Sequence, residues 1–314
     1  MDTMAPGKPR VLFVDDEPRI LTTMRMLFRG NYELFFAESG PKALEFLKTQ
    51  VVDVIVSDQR MPGMTGIEML RVARELNPNA MRILLTGYSD LNAIIGSINE
   101  GEIFRFVNKP WSNEELTVTV ARAVTAARAS LAASTKPDSD VPLPAGSATP
   151  AILVMDDDAS VAGKIQNIIG SDYRVFGATN MEQAVDLMEK EHIGVVISDT
   201  RVQNNPVVNL ISTLKQHHPE LVSVILTDRA DAGQAIELIN QGQIYRFLTK
   251  PLHDNQTKIT VTSAQRHHQK LTQNPELHQR YEVQKPKEEP PPTSSGARLM
   301  DRIRSLRTFV KRAG

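Results

Sequence analysis

Val11-Leu12-Phe13-Val14-Asp15-Asp16 sets four apolar residues ahead of two acids, and the chain repeats the device as Ile152-Leu153-Val154-Met155-Asp156-Asp157. Three further segments work in the same way. Asp53-Val54-Ile55-Val56-Ser57 runs into Asp58, Ile83-Leu84-Leu85 into Thr86, and a fifth apolar segment into Lys109-Pro110. Asp199, Thr227 and Lys250-Pro251 return with the same neighbours, each 141 positions beyond its counterpart (Asp58 to Asp199, Lys109 to Lys250). A constant offset at every polar terminus points to a duplicated domain. Short runs of three or four apolar residues suit strands buried on both faces, as parallel sheets with helices above and below require. Polar residues at the ends of such strands project into the crevice where these sheets bind ligands.

The stretches between the runs have helical spacing, so each copy reads as an α/β, doubly wound, five-stranded parallel sheet. In the first copy strands are predicted near 10–14, 32–36, 53–57, 81–85 and 103–107. Helices are predicted near 18–29, 40–49, 65–76, 90–100 and 113–132, and the offset transfers the pattern to the second copy, with a final helix at 253–271. Ser89 or Asp90 is a cap candidate for the fourth helix, with Gly101 and its repeat Gly242 as stops. This gives a first domain over 10–132, a Pro/Ser/Ala-rich flexible linker over 133–150 and a second domain over 151–271. Residues 272–296, with Pro286, Pro290, Pro291 and Pro292, are expected to be disordered. Residues 297–314 regain helical spacing: Leu299, Ile303, Leu306 and Val310 share a face, ringed by six Lys or Arg residues against the single acid Asp301.

The composition narrows the classes. At 314 residues the chain has room for two ordinary cores, and 41% hydrophobic with 23% charged residues is the soluble globular range. A net charge of −1 gives no global attraction to nucleic acid or membrane. No cysteine means no disulfide and no thiolate metal site. With no apolar leader and no run of spanning length, a cytoplasmic protein is expected.

Asp15, Asp16 and Asp58 would converge at the ends of the first and third strands. Three anions in a small volume repel one another and raise their own pKa values unless a cation binds, and oxygen-only ligands suit a hydrated Mg²⁺. Lys109 would add a positive charge and Thr86 a hydroxyl donor. Such a setting lets a carboxylate act as nucleophile toward a phosphoryl group. On these residues the sequence resembles the receiver domains of two-component response regulators, which have a flavodoxin-like fold. Ile98-Asn99-Glu100-Gly101-Glu102-Ile103-Phe104-Arg105-Phe106 is similar to receivers joined to cyclic-di-GMP phosphodiesterase domains. The resemblance implies that Asp58 takes the phosphoryl group from a sensor histidine kinase. It also implies that Asp15, Asp16, Asp58 and the Arg60 backbone carbonyl surround Mg²⁺, that Thr86 and Lys109 hold the phosphoryl oxygens, and that Phe106 is the switch aromatic. No phosphodiesterase domain is read in these residues, so signalling through an unidentified protein partner is expected, with no enzymatic activity beyond slow autophosphatase action. A homodimer or pairing of the two receivers is compatible with this.

The second copy keeps Asp156, Asp157 and Asp199 as metal-side acids, with Thr227 and Lys250 beside them, but its surroundings differ. Met61-Pro62-Gly63-Met64-Thr65-Gly66 becomes Val202-Gln203-Asn204-Asn205-Pro206-Val207, so valine replaces a glycine and the loop must take another path or carry strain. Gly87 becomes Asp228, a carboxylate where the phosphoryl group would approach. The second copy is therefore expected to be a weakened receiver. Two alternatives remain: a relay or sink using both Asp58 and Asp199, and a phosphoaspartate-forming hydrolase, against which Arg60 stands where that enzyme class needs an acid. Arg60 and Tyr88 are expected to shield a phosphorylated Asp58 from water. The seven histidines are expected on the surface, and Trp111 is expected to pack at the start of the last helix. The basic tail reads as solvated or loosely docked, as a partner-binding helix, or as a membrane-surface helix.

Overall fold

The computed structural model describes residues 7–87, 102–134, 149–227, 239–240, 244–275, 277–278 and 302. The chain divides into two compact units, Met1–Pro137 and Asp138–Gly314. The helices predicted near 90–100 and at the equivalent place in the second copy, with their caps and stops, fall wholly or mostly outside the described residues. So do Tyr88, Asp228 and nearly all of the linker, of the Pro-rich stretch and of the tail.

In the first unit β1 (Arg10–Val14), α1 (Pro18–Phe28), β2 (Glu33–Ala37), α2 (Gly40–Leu47), β3 (Val54–Asp58), α3 (Gly66–Leu76), β4 (Met81–Thr86), β5 (Arg105–Asn108) and α4 (Asn113–Ser134) follow in order. The strands form one parallel sheet ordered β2-β1-β3-β4-β5. Alternate residues divide it into two faces. Val11, Phe13, Val54, Val56, Ile83 and Leu85 join Leu21, Met24 and Phe28 of α1 and Leu116, Val120 and Ala123 of α4 in one buried core. Leu12, Ile55 and Leu84 are buried on the opposite face, where α2 and α3 cover the sheet. Trp111 lies just ahead of α4, half-buried against the first core, as the sequence suggested. Val14 pairs with Ser57, Asp58 with Leu85 and Thr86 with Asn108, so the polar termini emerge along one edge of the sheet.

The second unit repeats this plan with β6 (Ala151–Met155), α5 (Ser160–Ile169), β7 (Val175–Ala178), α6 (Met181–Lys190), β8 (Ile193–Ser198), α7 (Val208–His217), β11 (Val222–Thr227), β12 (Arg246–Thr249) and α8 (Asp254–Gln273). Its sheet is ordered β12-β11-β8-β6-β7, again all parallel. The expected pair of doubly wound sheets is thus present. One piece has no counterpart in the first copy: β9 (Arg201–Val202) and β10 (Asn205–Pro206) pair antiparallel between β8 and α7.

The hairpin follows from one substitution. Gly66, the first residue of α3, sits so close to the end of β3 that a β-carbon there would lie 2.1 Å from the Asp58 carbonyl oxygen. Val207 holds the equivalent position and is fully buried, so the loop before it cannot follow the first copy's path. Gln203 and Asn204 take φ of +50° and +62°, the two positive values that a two-residue type I′ hairpin turn demands. The α3 start has a reciprocal Thr65–Glu68 capping box, whereas α7, whose N-cap residue is Val207, has no side-chain cap.

Two histidines correct the expectation of surface positions: His218 and His268 are buried. Gly194 replaces Asp53, and any β-carbon there would come within 2.8 Å of the His268 ring, so the imidazole occupies the space a side chain would fill. Its Nδ1 donates to the Glu220 carbonyl oxygen at 2.8 Å. Lys215 of α7 is buried nearby with its ammonium lowered to about 7 by desolvation, partly opposed by Glu220. In the tail, Arg302 donates from Nε and Nη2 to both Glu189 oxygens at 2.9 and 2.8 Å, and from Nη2 to Asp186 Oδ1 at 2.5 Å. This residue is docked on α6.

Candidate functional site

In the first pocket Asp15 follows β1, Asp58 ends β3, and Lys109 follows β5. Lys109 Nζ lies 2.6 Å from Asp58 Oδ1 and 3.7 Å from Asp15 Oδ2, and the amide N–H of Lys109 donates to the Thr86 carbonyl oxygen at 2.9 Å. Asp15 Oδ1 accepts from the Glu17 amide at 2.9 Å, while its buried Oδ2 accepts no hydrogen bond. Burial chiefly lifts the Asp15 carboxyl to about 6. The Glu17 amide and Lys109 pull it down, and the charges of Asp58 and Asp16 push it further up. Thr86 is fully buried and its hydroxyl reaches the Gly87 carbonyl oxygen at 3.3 Å. Phe106 is buried on β5, beside Leu84 in the register. Arg60 is exposed two residues past Asp58.

Among the described residues, one set of three acids offers ligand atoms that all lie within 4.8 Å of one another: Asp15, Asp16 and Asp58. The donors are all carboxylate oxygens close enough to share one ion, so the pocket fits a hard divalent cation. A buried acceptor without a hydrogen bond is common to both copies, at Asp15 Oδ2 and Asp156 Oδ2, whereas the converging set of three is found in the first.

The second pocket holds the same residue types in another state. Lys250 Nζ bridges Asp156 Oδ2 and Asp199 Oδ2 at 2.7 Å each. Burial alone would lower its ammonium, but hydrogen bonds and charge from both acids outweigh that and raise it. Asp199 Oδ1 accepts from the Thr200 amide at 2.6 Å and the Thr200 hydroxyl at 3.1 Å. Asp157 Oδ1 accepts from the Gln203 amide at 2.7 Å, inside the hairpin turn. Its counterpart Asp16 is a member of the first pocket's acid set. The donors from Thr200 and Gln203 were not foreseen from the sequence. The Gln-Asn pair between strand-compatible residues was the available signal for the hairpin.

The response regulator receiver domain pattern matches residues 11–121 and 152–262, over two-thirds of the chain and once on each acidic pocket. The chain belongs to the response regulator receiver family. It carries two receiver domains of the kind found in two-component response regulators. It is similar to the hydrogenase transcriptional regulatory protein HoxA of Cupriavidus necator, 39% identical over 123 residues, which cover 39% of this chain and 26% of that protein. Similarity to the DNA-binding transcriptional regulator NtrC of Klebsiella pneumoniae is 34% over 112 residues, covering 35% and 24%. The match thus spans about a quarter of these relatives. Among solved structures, the receiver domain of an HD domain-containing protein from Pseudomonas fluorescens is 33% identical. It covers 42% of this chain and 97% of that one, with a TM-score of 0.40. No described helix is long and apolar enough to cross a membrane.

Proposed function

We propose that the first receiver is the working switch, with Asp58 accepting a phosphoryl group from a sensor histidine kinase and the signal leaving through protein contacts. The observation that carries this is the first pocket itself: three converging carboxylates, with Lys109 at 2.6 Å from the would-be nucleophile. Asp15, Asp16, Asp58 and the Arg60 carbonyl would hold Mg²⁺, which when bound neutralises charge on the transferring phosphoryl oxygens. Lys109 stands against Asp58 Oδ1, where it also meets a phosphoryl oxygen, and no hydrogen bond within the described residues occupies Asp58 Oδ2. In the transfer the N–P bond of the phosphohistidine breaks and an O–P bond forms on Asp58. The Thr86 hydroxyl exchanges the Gly87 carbonyl for a phosphoryl oxygen, and Phe106 repacks beside it. That couples new charge at the sheet edge to the β4–β5 surface.

The second receiver is the weaker acceptor, because both oxygens of Asp199 are already engaged and Asp157 is tied to its loop. On this reading the protein works in the cytoplasm as a phosphoacceptor rather than an enzyme. Incubation with a cognate kinase followed by phosphate quantification tests it: loss of label in Asp58→Ala and retention in Asp199→Ala is expected. Equal loss in both variants would favour a relay that uses both sites.

A further inference from the structure

In the second copy the protein supplies its own donors where the first copy leaves room for a cation. The three acids are retained, but two of them are engaged by donors the first copy lacks: Asp157 by the Gln203 amide at 2.7 Å and Asp199 by the Thr200 amide and hydroxyl as well as Lys250. Asp156 Oδ2, which like Asp15 Oδ2 accepts no hydrogen bond, is paired with the Lys250 ammonium at 2.7 Å, where Lys109 stands 3.7 Å from Asp15. We propose that the Arg201–Pro206 hairpin is a built-in substitute for the metal, so that the second receiver takes up no Mg²⁺ and stays in one state while the first one switches. The inference rests on the reading of the first pocket as a Mg²⁺ site.

Two features make the substitution stable. The hairpin holds itself: Arg201 and Asn204 make a hydrogen bond from guanidinium to carbonyl, the Asn205 side chain donates to the Gln203 carbonyl at 3.1 Å, and β9 pairs with β10. The way back to the first copy's loop is barred, because buried Val207 cannot occupy the place where Gly66 leaves no space for a β-carbon. A cation entering the second pocket would therefore have to displace a charge-assisted amide hydrogen bond and part an ammonium from two carboxylates. Asp16 in the first pocket makes no such bond within the described residues. An affinity difference of about 100-fold follows from losing contacts of this strength. The second domain then offers a binding surface that does not respond to the phosphoryl signal, and the response of the whole chain is set by Asp58.

Calorimetric titration of the full chain with MgCl2 counts the sites directly. One equivalent is expected, abolished by Asp16→Ala and unchanged by Asp157→Ala. The double variant Gln203→Pro/Val207→Gly, which restores the first copy's proline and glycine, is expected to gain a second equivalent. Amide NMR supports the count without any variant: the Gln203 and Thr200 resonances should stay fixed at magnesium concentrations that saturate the first pocket. Two equivalents in the parent chain, or movement of the Gln203 amide with magnesium, overturns the substitution. No binding at all overturns the first-pocket reading instead and removes the contrast with it.

Discussion

The two receivers share a sheet, a strand order and the same pocket residues, yet one pocket is left open and the other is closed by its own loop. Both begin from an acid pair after the first strand and a lysine before a cis proline. The difference starts at one backbone position. Gly66 lets α3 begin in contact with the Asp58 carbonyl. Val207 forbids the same approach, a hairpin forms instead, and its turn amide lands on Asp157. On the proposal made above, retaining the acidic residues does not retain the site. What they can bind depends on whether the neighbouring backbone has already satisfied them.

The largest effect is expected where the two loops diverge. Gly66→Val would drive a β-carbon into a carbonyl oxygen, and the first domain is expected to lose about 3 kcal/mol or more of stability in urea unfolding. Stability within about 1 kcal/mol of the parent would show that the first loop can take the hairpin path without penalty, and the explanation of the second copy would fail.

Next come the buried charges, which set opposite pH responses. Lys215 titrates near 7 in the folded second domain and near 10.5 when unfolded, so over that interval the unfolded chain carries a proton the folded domain lacks. Stability of the second domain should therefore rise from pH 7 toward 10 and fall as pH drops toward 7. Lys215→Met is expected to flatten this profile and to stabilise the second domain by about 2 kcal/mol at pH 7. Hydrogen exchange resolved by peptide would assign the change to the right domain, and an unchanged slope would remove Lys215 from the account. Protonation of His268, whose burial lowers its pKa, adds to the destabilisation at lower pH.

The first domain should behave in the reverse sense and in a lower window. Asp15 binds its proton more tightly folded (about 6) than unfolded (3.8), so its contribution makes the metal-free first domain more stable as pH falls from 6 toward 4. Asp15→Asn removes the buried charge and is expected to stabilise the metal-free domain by about 1 kcal/mol at pH 7, a figure reduced for the solvent at the pocket mouth. Magnesium should then stabilise the parent and not the variant. A variant less stable than the metal-free parent would contradict the view of Asp15 as a strained carboxylate awaiting a cation. The smallest effect concerns phosphoryl lifetime: Arg60→Ala combined with Tyr88→Ala is expected to speed decay about tenfold, about 1.4 kcal/mol, by opening the water path. Unchanged decay would end the shielding idea.

The duplicated fold and the first pocket were legible because they rest on strong local signals. Apolar runs ending in acids mark strand termini, and strand order carries those termini to one edge. The change of path at Val207 was also legible, since a glycine-to-valine exchange beside the acceptor restricts the backbone whatever the rest of the chain does. Where the new path would lead was not: the Gln203 amide meets Asp157 across 46 residues of sequence, a contact set by sheet geometry. The buried histidines were misjudged for a related reason. His268 is accommodated because Gly194, on another element, vacates the space, and helical spacing alone says nothing of that. Lys215 was readable in principle, lying seven residues beyond Val208 and four beyond Ile211 on the face that α7 buries.

The most direct test is to phosphorylate the full chain with a small phosphodonor and magnesium, trap the acyl phosphate by borohydride reduction, and read both sites by mass spectrometry. The account predicts modification at Asp58 exceeding that at Asp199 by about 100-fold, consistent with one open and one occupied pocket. Comparable modification of Asp58 and Asp199 would contradict it.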